Sequence, residues 1–276
     1  MANKPDKFGV KFWLAVDSSS KYLVNGFPYL GKDAHRPSNQ SLSEFVVLQL
    51  MDPFLGKGRN VTTDNFFTSV KLAEQLEKKK TSIIGTMNRI RREIPPEIKT
   101  CKAPLHSTKI LKNNNMTLTV YQGKTNKNVL LLSTVHKNVS VSEEGKKIPD
   151  SVKYYNETKY GVDIIDQMAR LYSTKVSSRR WPLQMFYNVL DLAGINAHIV
   201  YKEVTGKKVS RSEFILHLVE ELQMKDTAEE RPNVATTGFL KITLQSILAD
   251  YESIVESLAR AESILTHGPY VNMLSP

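Results

Sequence analysis

Alternating apolar and polar positions predict two strands near the start of the chain. Every second side chain of residues 8–16 is apolar, a spacing that favours a half-buried strand. Residues 22–29 predict a second strand, which we expect to form a hairpin with the first across a serine-rich turn. Gly26 and Pro28 within it indicate that this strand bends or lies at the edge of the sheet.

The next pattern alternates between helix and strand. Residues 43–51 predict a short helix, and residues 59–64 predict a brief β-branched strand that ends in Asp64. Thr68 or Ser69 is expected to cap the following helix, which ends in three lysines that suit a helix C-terminus. Residues 81–87 predict another strand.

Residues 89–152 have a different character and predict a β-rich insertion. Two strand-like stretches lie at residues 116–121 and 129–135. Between Arg89 and Lys127 there are nine Lys or Arg residues and only two acids. This surface either faces a phosphate backbone or is a solvated basic face, and the charges alone leave both interpretations open.

Beyond Lys159 the pattern becomes helical. Apolar residues from Ile164 to Tyr172 recur at the spacing of one helix face. Pro182 suits the first turn of a helix over residues 183–201, which is apolar around most of its circumference and is expected to be buried or to form a dimer interface. Further helices are predicted from residue 210 or 212 to 224, and over residues 240–265. The element order predicts a mixed α/β sheet followed by an all-α region.

Composition points to a nucleic-acid partner in a reducing compartment. The net charge of the chain is +10. Residues 225–276 have a net charge of −3, so the first 224 residues have a net charge of +13. Such an excess favours polyanions, although a merely soluble basic protein has the same charge. The single cysteine, Cys101, excludes an internal disulfide and a cysteine-based zinc site. We expect no membrane association, since no apolar run approaches 18 residues.

Three acids are candidates for metal chemistry. Asp64 ends a strand, where open α/β sheets place functional groups, and Asp163 and Asp166 lie one turn apart on a helix. Carboxylates that converge there could hold divalent cations for phosphodiester chemistry. Spacing alone equally suits a turn-forming Asp64 and a helix-dipole role for the other two.

Residues 175–181 form a basic segment with a candidate DNA-binding role. Arg179 and Arg180 could grip phosphates together with Lys175, while Trp181 stacks on a base. The alternative is that Trp181 anchors a core at a helix start and the arginines are solvated.

Four blocks of the chain resemble piggyBac-type transposases and their domesticated relatives. The first block runs from Asn3-Lys4-Pro5 to Asn25-Gly26-Phe27-Pro28. The others are Arg59-Asn60-Val61-Thr62-Thr63-Asp64-Asn65-Phe66-Phe67, Tyr160-Gly161-Val162-Asp163-Ile164-Ile165-Asp166 with the residues before it, and Arg179-Arg180-Trp181-Pro182. They occur in the family's order and at similar spacing, and the match covers residues 1–220.

This resemblance implies a ribonuclease-H-like DDE core with an insertion before the last catalytic helix. Three aspartates of such enzymes hold two divalent ions, Mg²⁺ or Mn²⁺, which cut transposon ends and join them to TTAA targets. Asp64 matches the second aspartate, Asp163 the third, and Asp166 a further acid of the same motif. The first aspartate of the family lies upstream of residue 3, and neither Asp6 nor Asp17 matches it. The family's C-terminal zinc domain, which binds transposon ends, is also missing.

The resemblance therefore sets the expected organisation and function. We expect a transposase core that is inactive as this chain because the first aspartate is absent. The alternative is a domesticated, non-catalytic protein that binds DNA and forms a homodimer, and for either we expect a nuclear location. The expected segments are a first core part (residues 1–88), the insertion (89–152), the last catalytic helix (153–173), a helical DNA-binding or dimerisation region (174–224) and a helical tail (225–276).

Overall fold

The computed structural model describes residues 11–29, 31, 36–100, 103–178, 180–228 and 270–273. The chain divides into two compact units. The first comprises Met1–Gln167 together with Pro269–Pro276, and the second comprises Met168–Gly268. The first unit contains the sheet, and the second contains long helices.

The described strands form a single mixed sheet in the order β2-β1-β8-β3-β4-β7-β6-β5. Their bounds are β1 Lys11–Asp17, β2 Leu23–Tyr29, β3 Asn60–Thr63, β4 Ser82–Thr86, β5 Thr108–Asn113, β6 Met116–Lys124, β7 Lys127–Ser133 and β8 Tyr270–Met273. β1 and β2 pair in an antiparallel hairpin, and β3 and β4 pair in parallel. The hairpin, the edge position of β2 and the mixed sheet confirm the predictions from the hydrophobic pattern.

Strand β8 enters the sheet between β1 and β3 although it comes from the far end of the described chain. It is antiparallel to β1, with Ala15 opposite Met273, and parallel to β3, with Asn60 opposite Tyr270. The sequence predicted a helical tail here, and for residues 270–273 that prediction is wrong. The strand forms because two neighbours satisfy its backbone groups, an interaction that no local pattern reveals. The helix predicted over residues 240–265 lies outside the described residues.

Five described helices accompany the sheet. Side-chain caps fix where the first two begin: Ser41 accepts the amide of Glu44, and Ser69 accepts the amide of Leu72 at 3.1 Å. Of the two candidate caps, Ser69 is therefore the one used. The helices are α1 Leu42–Met51, α2 Val70–Lys78, α3 Pro96–Lys99, α4 Asp150–Thr158 and α5 Gly161–Leu171, and the sequence pattern predicted α1, α2 and α5 among them. Apolar side chains of α1, α2 and the central strands form one buried core.

The basic segment of sequence between β4 and α4 adds three strands to the same sheet. β7 pairs antiparallel with β4, where Ile84 lies opposite Ser133, and β6 and β5 follow outward. The sequence predicted β6 and β7 but not β5. The domain boundary at residues 89–152 stays a prediction.

The second unit contains two long helices, α6 Trp181–Thr205 and α7 Arg211–Ala228. Pro182 lies in the first turn of α6 as predicted, and Gly206 ends the helix in the left-handed conformation. The prediction that α6 is buried is wrong for Leu183, Phe186 and Val189, which are 36–44% exposed. A dimer interface on this helix stays a prediction. Among the described residues, no helix combines the length and apolarity that a bilayer crossing requires.

We predict that Asn272→Pro destabilises the first unit, whereas Asn272→Ala does not. Proline removes a backbone donor from a strand with a neighbour on each side, and each orphaned ladder group costs about 1–3 kcal/mol. Urea unfolding followed by circular dichroism measures the difference. Equal stability of the proline and alanine variants would show that β8 is not paired in solution.

Candidate active site

Asp64 lies in a tight turn directly after β3. Its carboxylate accepts the backbone N–H of Phe66 at 2.9 Å, and its carbonyl accepts both the amide and the hydroxyl of Thr68, at 3.1 and 2.7 Å. The turn-forming role left open by the spacing is therefore present. The carboxylate remains half-buried at the surface of the sheet rather than enclosed in the core.

Gly85 of β4 allows this turn to lie close against the sheet. The hydroxyls of Thr63 and Thr68 are 2.8 Å apart and lie over Gly85. A Cβ atom at position 85 would lie 2.2 Å from the Thr68 hydroxyl and 2.5 Å from the Thr63 carbonyl oxygen. Both distances are far below van der Waals contact, so any side chain here displaces the backbone that carries Asp64.

Helix α4 brings a tyrosine to the same end of the sheet. The polar face of α4 is joined to strands β3, β6 and β4 by pairs of hydroxyl groups. These pairs are Thr62 with Thr158 at 2.9 Å, Thr119 with Ser151 at 3.2 Å and Thr86 with Tyr155 at 3.3 Å. The apolar pattern predicted a helix only from Lys159, whereas the family resemblance placed the last catalytic helix at residues 153–173; the structure has two helices there, α4 and α5. The Tyr155 hydroxyl is thereby fixed beside the strand ends.

The charges of Asp64 and Asp163 both act on the pKa of Tyr155. Burial raises the pKa of Tyr155, and the hydrogen bond with Thr86 opposes this. The charges of Asp64, Tyr160 and Asp163 raise the pKa further. Asp163 is exposed in the first turn of α5, which begins directly after α4. Two acids from separate elements thus act on one hydroxyl group. Asp166 lies one turn further along α5 and is half-buried.

This arrangement does not fit a two-ion metal centre by itself. One hard cation can be held by one or two carboxylates with water and phosphate oxygens as further ligands. Two ions need more shared ligands. Within the described ranges, no cluster of three or more His, Cys, Asp or Glu side chains is placed to hold a metal ion. The catalytic and metal-binding roles of Asp64, Asp163 and Asp166 stay predictions.

In the second unit, a buried aspartate holds the chain that leads to α6. Asp191 is 3% exposed and accepts hydrogen bonds from the Ser173 hydroxyl at 2.6 Å and from the amide and hydroxyl of Thr174 at 2.7 and 2.9 Å. The Gln184 amide donates to the carbonyls of Val176 and Ser178. The basic segment is therefore fastened along the start of α6. Asp191 gave no signal in the sequence, because its partners lie 17 and 18 residues away.

The basic segment presents its described cations to solvent. Lys175 and Arg180 are exposed, and Trp181 is 65% exposed. The alternative that Trp181 is a core anchor is therefore wrong. Arg179 lies outside the described residues, and the DNA-binding role of the whole segment stays a prediction.

Comparison with known proteins identifies the family. The family model described as Transposase IS4, a DDE transposase model, matches residues 1–198. The human PiggyBac transposable element-derived protein 2 is 26% identical over 212 residues, which are 70% of this chain and 36% of that protein. The human PiggyBac transposable element-derived protein 3 is 24% identical over 237 residues, which are 76% of this chain and 38% of that protein.

The chain belongs to the piggyBac-type DDE transposases.

A solved member of this family shows the same architecture. The cryo-EM structure of a piggyBac transposase synaptic complex with hairpin DNA matches with a TM-score of 0.76 and 35% identity, over 90% of this chain and 53% of that one. The piggyBac resemblance and the ribonuclease-H-like fold class are thus confirmed. The chain spans between a third and two fifths of the length of the two curated relatives.

We predict opposite effects for two glycine-to-alanine substitutions in this piggyBac-type chain. Gly85→Ala should lose about 1–3 kcal/mol, because the new methyl group overlaps Thr63 and Thr68. Gly194→Ala in α6 should gain about 0.5–1 kcal/mol, because its Cβ meets nothing within 4 Å and alanine favours helix. Urea unfolding of the two variants checks this pair. A tolerated Gly85→Ala would contradict the close contact.

We also predict that removing either acid lowers the pKa of Tyr155. Each negative charge disfavours the tyrosinate, so Asp64→Asn and Asp163→Asn should shift deprotonation to lower pH. NMR titration of ¹³Cζ-labelled tyrosine follows the hydroxyl, and Tyr155→Phe assigns the signal. Asp52→Asn, an exposed acid elsewhere in the unit, is the control. If both variants leave the pKa of Tyr155 where the control leaves it, neither acid acts on the Tyr155 hydroxyl.

Proposed function

We propose that this chain is a DNA-binding piggyBac-type core that does not cut DNA on its own. One observation carries the proposal. The charges of Asp64 and Asp163 act on the same tyrosine, Tyr155. Strand β8 lies beside β3, the strand that leads to Asp64, and there Asn272 and Met273 pair with Thr62 and Thr63. Two acids of the candidate site thus act on one hydroxyl group, and the neighbouring strand β8 contributes no carboxylate within residues 270–273.

Metal-dependent strand transfer needs both an activated attacking oxygen and a stabilised leaving oxygen. DDE transposases use divalent ions for both tasks, and the ions share carboxylate ligands. Among the described residues, Asp64 and Asp163 offer ligands for one weakly held cation at most. Loss of one shared ligand therefore removes the chemistry while leaving the protein fold intact.

DNA binding is supported by charge and by the exposed basic segment. The first 224 residues carry the whole positive excess, and Lys175 and Arg180 are exposed on a segment held by Asp191. The similar transposase is described as a synaptic complex with hairpin DNA. We propose duplex DNA as the partner, bound mainly through phosphates, and a nuclear location as its consequence.

The second candidate function is an active transposase core for cleavage and strand transfer. The action of both Asp64 and Asp163 on the pKa of Tyr155 favours it, because perturbed pKa values cluster at functional sites. It requires that a further carboxylate be supplied at the same site.

Two assays on the full chain test the proposal. In the first, affinity for a labelled duplex is measured against salt concentration. Lys175→Ala/Arg180→Ala should reduce the slope of log affinity against log salt by roughly 2, because two phosphate contacts are lost. Lys207→Ala/Lys208→Ala removes the same charge beyond the other end of α6 and is the matched control. Equal slopes for the two double variants would rule out the basic segment as the binding surface.

The second assay measures nicking of supercoiled DNA with Mg²⁺ or Mn²⁺. We expect none from the wild-type chain. Metal-dependent nicking that disappears in Asp64→Ala would overturn the proposed inactivity and establish the second candidate function.

A further inference from the structure

Two adjacent phenylalanines after Asp64 have opposite environments. Phe67 is 1% exposed and belongs to the core, whereas Phe66 is 40% exposed. Single exposed apolar side chains are common on protein surfaces and need no explanation by themselves. What distinguishes Phe66 is the set of groups that hold it and surround it.

The Phe66 ring is rigidly supported from behind. It stacks on the buried Trp13, with ring centroids 6.0 Å apart and planes 11° from parallel. Phe67 contacts both rings edge-on, at 5.1 and 5.6 Å. The backbone is held as well: Asp64 accepts the Phe66 amide at 2.9 Å, and the Arg91 guanidinium donates to the Phe66 carbonyl at 2.9 Å. The exposed ring is therefore preorganised rather than loosely attached.

A cation and a second exposed ring lie at the same place. The Lys11 ammonium is 3.9 Å from the centroid of Trp13, 5.6 Å from that of Tyr29 and 5.9 Å from that of Phe66. Tyr29 is 36% exposed and meets Trp13 edge-on. Fixed aromatic faces beside a cation suit a nucleotide whose base is unpaired, because the base can stack while its phosphate meets the cation.

We propose that Phe66, with Tyr29 and Lys11, binds an unpaired DNA base next to Asp64. The inference rests on the proposed DNA binding and extends it. The basic segment binds phosphates of any duplex, whereas this aromatic site prefers DNA whose end is single-stranded. A base in a duplex keeps its faces covered by its neighbours, so it cannot stack on Phe66. The site thereby selects which part of a DNA substrate lies beside the acids.

The test compares two labelled DNAs by fluorescence anisotropy: a blunt duplex and the same duplex with a four-nucleotide overhang. Phe66→Leu keeps an apolar side chain of similar size but removes the flat face. We expect it to weaken binding of the overhang DNA by about 5- to 100-fold and to leave blunt-duplex binding unchanged. Phe66→Tyr should retain the preference. Leu105→Ala, at a side chain 51% exposed on the same unit, is the control for loss of apolar surface.

Photocrosslinking supplies an independent readout. An overhang that carries 5-iodouracil should crosslink to residue 66 in the wild-type chain, and mass spectrometry of the peptide locates the bond. Wild-type binding without any overhang preference, or an equal loss on both DNAs in Phe66→Leu, would overturn the aromatic site alone. Failure of the wild-type chain to bind either DNA would instead overturn the proposed function. Normal binding of both DNAs by Phe66→Leu would likewise overturn the aromatic site.

Discussion

The contact between Gly85 and the turn after β3 is the constraint on which the candidate site depends. Because residue 85 has no side chain, Thr63 and Thr68 can lie close against strand β4. The two threonine hydroxyls form a hydrogen bond with each other there. That approach fixes the turn, and the turn fixes both the Asp64 carboxylate and the exposed ring of Phe66. One residue further along β4, Thr86 meets Tyr155. Gly85 and Thr86, two adjacent residues of β4, therefore position the turn that carries Asp64 and the tyrosine of α4.

Local signals predicted the elements that local interactions form. Alternation placed the first hairpin and strands β3 and β4, and side-chain chemistry placed the cap at Ser69 and the proline of α6. Asp64 shows the limit of such reasoning. Its position after a strand suited a turn former and a site acid equally. The structure shows the turn-forming hydrogen bond, and the site role stays a prediction. Family resemblance, rather than spacing, singled it out as a residue to examine.

The features that the sequence did not predict depend on distant partners. Helix α4 has few apolar residues in helical spacing, and hydroxyl pairs with three strands secure it instead. β5 is an edge strand whose lysines obscure its alternation, and among the described strands it pairs with β6 alone. Asp191 is an ordinary helix residue until Ser173 and Thr174 reach it. In each case the stabilising group lies far away in sequence, so no window of neighbouring residues contains the information.

The interior position of β8 in the sheet also affects how the chain folds. Asn60 of β3 pairs with Tyr270 of β8. The gap between β1 and β3 can therefore be filled only after almost all the other described residues have left the ribosome. During synthesis the facing edges of β1 and β3 remain open, with backbone groups able to accept an extended segment from any source. Pairing over so long a separation is slow, because loop closure precedes the gain from the contacts. The last of the described strands to be made therefore takes an interior place, between two strands from the first quarter of the chain.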